Sequence, residues 1–225
     1  AHMNAVGVIQ PPRREYEEQL EEWQDRILNE MGTYRDLINN ETNYGKFICC
    51  SYNDSANRDL AYGLVGLMGK HDSNVSITNK NCLNLNSLEI EPTPSLRKQL
   101  TKNNYTVIYQ SIRNGRVPYR AVTMAPRQSS YYSLKNIRTV NEVATRVQHV
   151  TDQYIGEGIN EALQSLPKDL NNLFSTMITE EDKVVDIGYE IHQTQEDRLK
   201  IPLNIEVEGE LSTLKTGVVS ANFFN

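Results

Sequence analysis

Cysteine is scarce in this chain: Cys49, Cys50 and Cys82 are the only three in 225 residues. An odd number, with two adjacent in an apolar stretch, suits buried reduced thiols better than a disulfide framework. The expected compartment is the cytoplasm, at least during synthesis. Positive charge is also in deficit, with 23 Lys and Arg against 29 Asp and Glu, a net charge of −6. Nucleic acids and anionic membranes select basic surfaces, because Lys and Arg must neutralise phosphate, so no nucleic-acid partner is expected. No run of about eighteen apolar residues exists, so no membrane insertion is expected. The first twelve residues lack a charged n-region and an apolar h-region, and no secretory signal is expected within them. Ala1-His2-Met3 reads as the scar of a cleaved expression tag, which removes one of the four histidines from any metal argument.

Motifs of chemistry are missing too. Gly63 to Lys70 (GLVGLMGK) carries glycines and a lysine, but His71 follows the lysine, so it does not match a phosphate-binding loop; its helical apolar spacing marks it as packing. No HExxH, CxxC or EF-hand pattern occurs. His71, His149 and His192 are scattered: His192 falls on the polar side of a strand pattern, His149 lies off a helix stripe and His71 sits in a loop. Cys49 and Cys50 lie inside a predicted strand, and Cys82 has no local activating signature. The residues therefore point to no catalytic, cofactor-binding or metal-binding group, and a thiol-dependent enzyme stays open only as an outside alternative.

What is present is the patterning of a folded protein, with 38% hydrophobic and 23% charged residues. Residues 4–12 read as an irregular leader. Tyr16, Leu20, Trp23, Ile27 and Met31 then form one helical stripe, with Glu15, Glu17, Glu18, Glu21, Glu22 and Asp25 around it as a solvated face or a docking face for a basic neighbour. Tyr44–Tyr52 reads as a strand and Ala56–Met68 as a small-residue helix. A polar loop spans 70–86, and Ser95–Lys102 is a short helix capped by Ser95 or Thr93. Asn114-Gly115 between Val107–Tyr109 and Val117–Met124 signals a hairpin, with Pro118 on an edge. Ile137, Val140, Ala144, Val147, Val150 and Tyr154 predict a helix over 133–156. Ile159, Leu163, Leu166, Leu170, Leu173 and Met177 predict another, broken near Ser165 by Pro167. The period then changes to two: Val185, Ile187, Tyr189 and Ile191, then Leu199, Ile201, Leu203, Ile205 and Val207, alternate with polar residues as half-buried strands. Leu211–Phe224 is β-prone without clean alternation. The expected fold class is α+β (or α/β): a mixed sheet flanked by the 137–155 and 159–178 helices, with a C-terminal antiparallel region. The expected division is a leader and acidic helix over 4–43 and a core with the C-terminal domain over 44–225.

An ordered set of words carries a family resemblance. Ser76-Ile77-Thr78-Asn79-Lys80 follows a small-residue helix and resembles the S-x-T-N-K loop of contractile bacteriophage tail sheath proteins. After the hairpin and Ala121-Val122-Thr123 come Ile137-Arg138-Thr139-Val140-Asn141, Tyr154-Ile155-Gly156-Glu157, the Leu163–Leu173 helix, and Glu210-Leu211-Ser212-Thr213-Leu214 before the last strand. The resemblance covers about 44–224, and sheath-like tubes of related injection machines share it. Sheath subunits are usually much longer, so it implies a C-terminal core fragment, with the first forty residues least explained.

The resemblance implies a structural subunit without nucleotide, metal or other cofactor. Its copies would stack as six-fold rings around a tail tube protein, meet a baseplate, and slide into a wider, shorter lattice on contraction, driving host genome ejection. The expected location is the virion, after assembly in the host cytoplasm. A baseplate or other injection-machine component is the alternative. Terminal strands that pair with neighbouring copies would supply the linkage, and Pro202, Leu211, Leu214, Val218, Val219, Phe223 and Phe224 are the expected interface residues. Pro202 hints at a free edge, while Leu199–Val207 could equally pair within its own core.

Overall fold

In the computed structural model the described residues are 5–12, 14–41, 44–52, 59–82, 91–195, 198–207 and 214–222. The chain divides into two compact units, the boundary falling between Ile137 and Arg138.

The first unit is built on a sheet of four strands: β1 (Gly7–Ile9), β2 (Ile48–Tyr52), β3 (Tyr105–Ser111) and β4 (Gly115–Pro118), in that spatial order. The first three are parallel and β4 returns antiparallel. Parallel neighbours need crossover connections, and helices α1 (Leu20–Glu41), α2 (Asp59–Lys70) and α3 (Pro94–Lys102) lie in them. Both faces of the sheet are covered. On one, Trp23, Ile27 and Met31 of α1 and Leu100 of α3 pack against Cys50, Tyr52, Tyr105 and Val107. On the other, Leu64 and Leu67 of α2, with Leu134 and Ile137, pack against Cys49 and Ile108. These are the helices on the mixed sheet, in place of the expected 137–155 and 159–178 pair. Only the first turn of the former, through Leu134 and Ile137, joins this core.

Several local expectations hold. Thr93 caps α3, its hydroxyl accepting from the Leu96 amide at 3.2 Å. Gly115 turns the hairpin at φ +69°, a conformation that a Cβ disfavours. Pro118 lies in the edge strand β4, where its missing donor costs no ladder bond to an outer strand. Others shift. The α1 helix begins at Leu20, because the Glu18 carboxylate bonds back to the Glu15 amide and holds residues before it in a turn. Tyr16, expected in the stripe, is therefore fully exposed. The helix also runs ten residues past Met31, to Glu41. Residues 44–47 form a 3-10 turn before β2, and Gly7–Ile9, read as irregular, is a strand.

The second unit holds most of helix α4 (Leu134–Asp152), helix α5 (Ile159–Ser175) and four strands, β5 (Asp186–Tyr189), β6 (His192–Gln195), β7 (Arg198–Glu206) and β8 (Leu214–Asn222). The expected break at Pro167 does not occur: α5 is continuous through it. Its buried positions are Ala162, Leu166, Leu170 and Phe174, a stripe turned from the expected one toward the strand packed on it. The Phe174 and Tyr189 rings meet edge to face at 5.3 Å, and the Tyr189 hydroxyl lies 3.1 Å from the Pro167 carbonyl. A helix held by side-chain packing on both sides of a proline tolerates the one hydrogen bond that residue removes. A π turn, Thr176–Glu180, ends the helix. Beyond it Arg146 reaches Glu142 at 2.7 Å and Glu181 at 2.8 Å, while Lys183 reaches Glu142 at 2.9 Å. This ion-paired cluster ties the exit of α5 to α4.

Candidate assembly surface

Thiol chemistry finds no support in the structure. Burial pushes the Cys49 thiol up to about 11 and the Cys82 thiol to about 12, and raises Cys50 as well. Each is a buried free thiol, and the Cys49 Sγ donates to Thr106 Oγ1 at 3.3 Å. A nucleophilic cysteine needs the opposite shift. Among the described residues no three His, Cys, Asp or Glu side chains cluster to hold a metal ion, and no helix is long and apolar enough to cross a membrane. His149 and His192 are exposed, and His192 Nε2 lies 2.8 Å from a Glu190 carboxylate oxygen.

What the second unit offers is the two outer edges of an antiparallel sheet. Strand β7 is its centre. Leu199, Ile201, Leu203, Ile205 and Val207 are all buried, and the residues between them are half-buried or exposed. This is the alternation expected from the sequence. On one side β5 and β6 lie end to end: Asp186 through Tyr189 pair with Glu206 through Leu203, and His192 and Gln193 with Lys200 and Leu199, in one continuing register. On the other side lies β8, with Arg198 opposite Asn222 and Ile205 opposite Leu214. The outer edges of this sheet are therefore β8 on one side and β5–β6 on the other, and among the described residues no strand but β7 pairs with either.

The expected interface residues fall at different places on this sheet. Leu214, Val218 and Val219 lie in β8, opposite Ile205, Pro202 and Ile201. Leu211, Phe223 and Phe224 lie outside the described residues. Pro202 is not on a free edge but in the central strand, and the reason it is accepted there is visible. Its carbonyl receives the Glu190 amide at 3.3 Å, so its missing N–H would point the same way, into the break between β5 and β6. On its other side the register with β8 slips between Pro202 and Asn204. Proline inside a sheet belongs at such irregularities. Periodicity alone found β7. It could not find β6, whose four residues, His192–Gln195, carry no apolar alternation.

No family model matches the sequence, and no curated protein matches it either. Solved structures do. A sheath tail protein of Desulfitobacterium hafniense superposes with a TM-score of 0.60 at 10% identity, over 87% of this chain and 54% of its own. The sheath complex of an extracellular contractile injection system, PVC, in its contracted state gives 0.59 at 12% identity, over 90% and 60%. The baseplate structure of the anti-feeding prophage, six-fold symmetrised, gives 0.63 at 12% identity, over 76% and 55%. The chain thus spans between 54% and 60% of the length of these relatives in structure. The 90% match reaches into the first forty residues, which the resemblance in sequence left out. With its mixed four-stranded sheet, covering helices and terminal antiparallel sheet, this chain has the fold of contractile tail and injection-system sheath proteins.

Proposed function

We propose that this chain is a structural, non-catalytic part of a contractile sheath, and that it works by binding copies of itself. The observation that carries the reading is the placement of β8: a nine-residue strand on the outer edge of its sheet. An added strand could form roughly one backbone hydrogen bond per residue along such an edge. Each would contribute about 1 kcal/mol net. The same geometry allows β8, an outer strand held by β7 alone among the described residues, to pair with a neighbour's β7 in place of its own.

In this reading the copies form six-fold rings stacked around a tail tube protein above a baseplate. The lattice rearranges on contraction without a nucleotide or other cofactor, and without a nucleic-acid or membrane partner. The location is the virion, where contraction serves genome ejection, after assembly in the host cytoplasm. A second reading, a baseplate component on the same fold, is supported by the match to the anti-feeding prophage baseplate structure.

Electron microscopy of the natural full-length protein tests both. Hollow tubes or stacked rings are expected, and removal of residues 211–225 should abolish them while circular dichroism stays that of a folded protein. Isolated rings that never stack would favour the baseplate reading. A persistently monomeric full-length protein, or tubes that survive the deletion, would overturn the strand-linked sheath.

A further inference from the structure

The first unit has two chemically opposite ends. Its parallel strands fix the directions: α1 returns against them, so the start of α1 lies at the ends where β1 and β2 finish. The Trp23 indole N–H donating to the Pro12 carbonyl at 2.9 Å marks that end. The far end of α1 is marked by the Asn39 amide donating to the Met124 carbonyl, and Met124 donates in turn to Ile48 at the start of β2.

At the starting ends of the strands four cations gather. Lys46 lies two residues before β2 and Lys102 three before β3, while Arg120 and Arg127 follow β4, which runs back antiparallel to β3 toward the same ends. Among the described residues none of the four has a carboxylate within 4 Å. Lys46 is the telling one. Its ammonium is half-buried between the Tyr131 ring, 4.6 Å from the centroid, and the Phe47 ring, at 5.1 Å, and burial lowers its pKa. A desolvated ammonium on aromatic faces is a cation without its counter-charge.

At the finishing ends acids crowd the start of α1, with Arg113 exposed in the turn between β3 and β4. Arg26 neutralises Glu18 at 2.6 Å, yet Glu17, Glu21 and Asp25 stay exposed, with no cation at ion-pair distance among the described residues. Helix dipoles account for acids in the first turn of α1. They do not account for the arginines, which stand on the irregular segment after β4.

We propose that the basic end, Lys46 with Arg120 and Arg127, is a docking surface for the acidic end of a second copy of this chain. Opposite charges on opposite ends make the contact heterologous, head to tail, so that it propagates into rings or filaments instead of closing as a dimer. It rests on the reading that copies assemble, and adds a contact separate from the terminal strands.

Charge reversal tests it on the full 225-residue chain by sedimentation at low and high salt. The unaltered chain should self-associate at low ionic strength and dissociate as salt rises. Arg120→Glu with Arg127→Glu cancels the positive charge of the basic end, and Glu17→Lys with Glu21→Lys cancels most of the negative charge of the acidic one. Each variant alone should bind itself roughly tenfold more weakly or worse, from about 1.4 kcal/mol spread over the reversed pairs. An equimolar mixture of the two should regain association, a rescue that misfolding cannot produce. Unchanged association in both variants, a mixture that stays monomeric, or an unaltered chain monomeric at every salt would overturn the proposal. Tubes formed by a reversed variant of the full-length protein would overturn it too, while leaving the sheath reading standing.

Discussion

The two sheets of this molecule solve different problems. In the first unit Cys49 through Tyr52 of β2 are all buried, because helices cover both faces. In the second, β7 alternates strictly between buried and wet positions. A strand covered on both faces is committed to its own core, whereas a sheet with a wet face and long open edges can accept strands from outside. The difference teaches where to look for stability and where for association: in the first sheet for one, and on the edges of the second for the other.

The largest effects are expected from truncating a buried side chain in each core. Trp23 is fully buried, tilted against Tyr52 with ring centroids 5.7 Å apart. Trp23→Ala should cost about 3–5 kcal/mol in urea unfolding, and Ile201→Ala, fully buried in β7, about 2–4 kcal/mol. A cost below about 1 kcal/mol for Trp23→Ala would mean that the acidic helix is an appendage and not part of the first core.

A smaller effect is expected at the charged corner of the second unit. Arg146→Ala removes contacts to Glu142 and Glu181, whose side chains are about a third exposed or less. The expected loss is about 1 kcal/mol, shrinking as salt rises, because partly exposed pairs are screened. A salt-independent loss would point to lost packing of the arginine stem instead.

The smallest effect is confined to alkaline pH. Burial holds Cys49 and Cys82 neutral in the folded chain at pH values where the unfolded thiols ionise. Between about pH 9 and 11 the unfolded state therefore binds fewer protons than the folded one, and stability falls as pH rises. The melting temperature should drop over that window, and the drop should lessen in Cys49→Ala after allowing for its lower starting stability. All three thiols should resist a thiol reagent at neutral pH until the chain is unfolded.

How much of this the sequence disclosed follows the same division. The β7 alternation, the Thr93 cap and the Asn114-Gly115 turn are local signals, each with its cause within a few residues, and each was legible. The faces of β2 were not, since a continuous buried run has no period to read. The start of α1 depended on the Glu18 carboxylate turning back to the Glu15 amide, and its far end on Asn39 reaching Met124, 85 residues away. The continuity of α5 through Pro167 depended on Tyr189 and Phe174. The edges of the second sheet are a property of pairing, which periodicity suggests but does not assign. Its central strand was therefore read correctly as a strand, while Pro202, read as the hint of a free edge, lies in that central strand.

The irregularity around Pro202 also acts as a keyway. The gap between β5 and β6 and the slip against β8 meet at one point along β7, so the ladder there is not translationally uniform. A ribbon laid against a uniform ladder can be seated two residues up or down at modest penalty; one that must match a fixed kink has a single seating. The extra residue lies on β8, three steps from Val218 to Lys215 against two from Pro202 to Asn204, so β8 or the same strand of another copy has that one position. The spacing between joined molecules would then be counted in residues along a backbone and not left to the give of a soft surface.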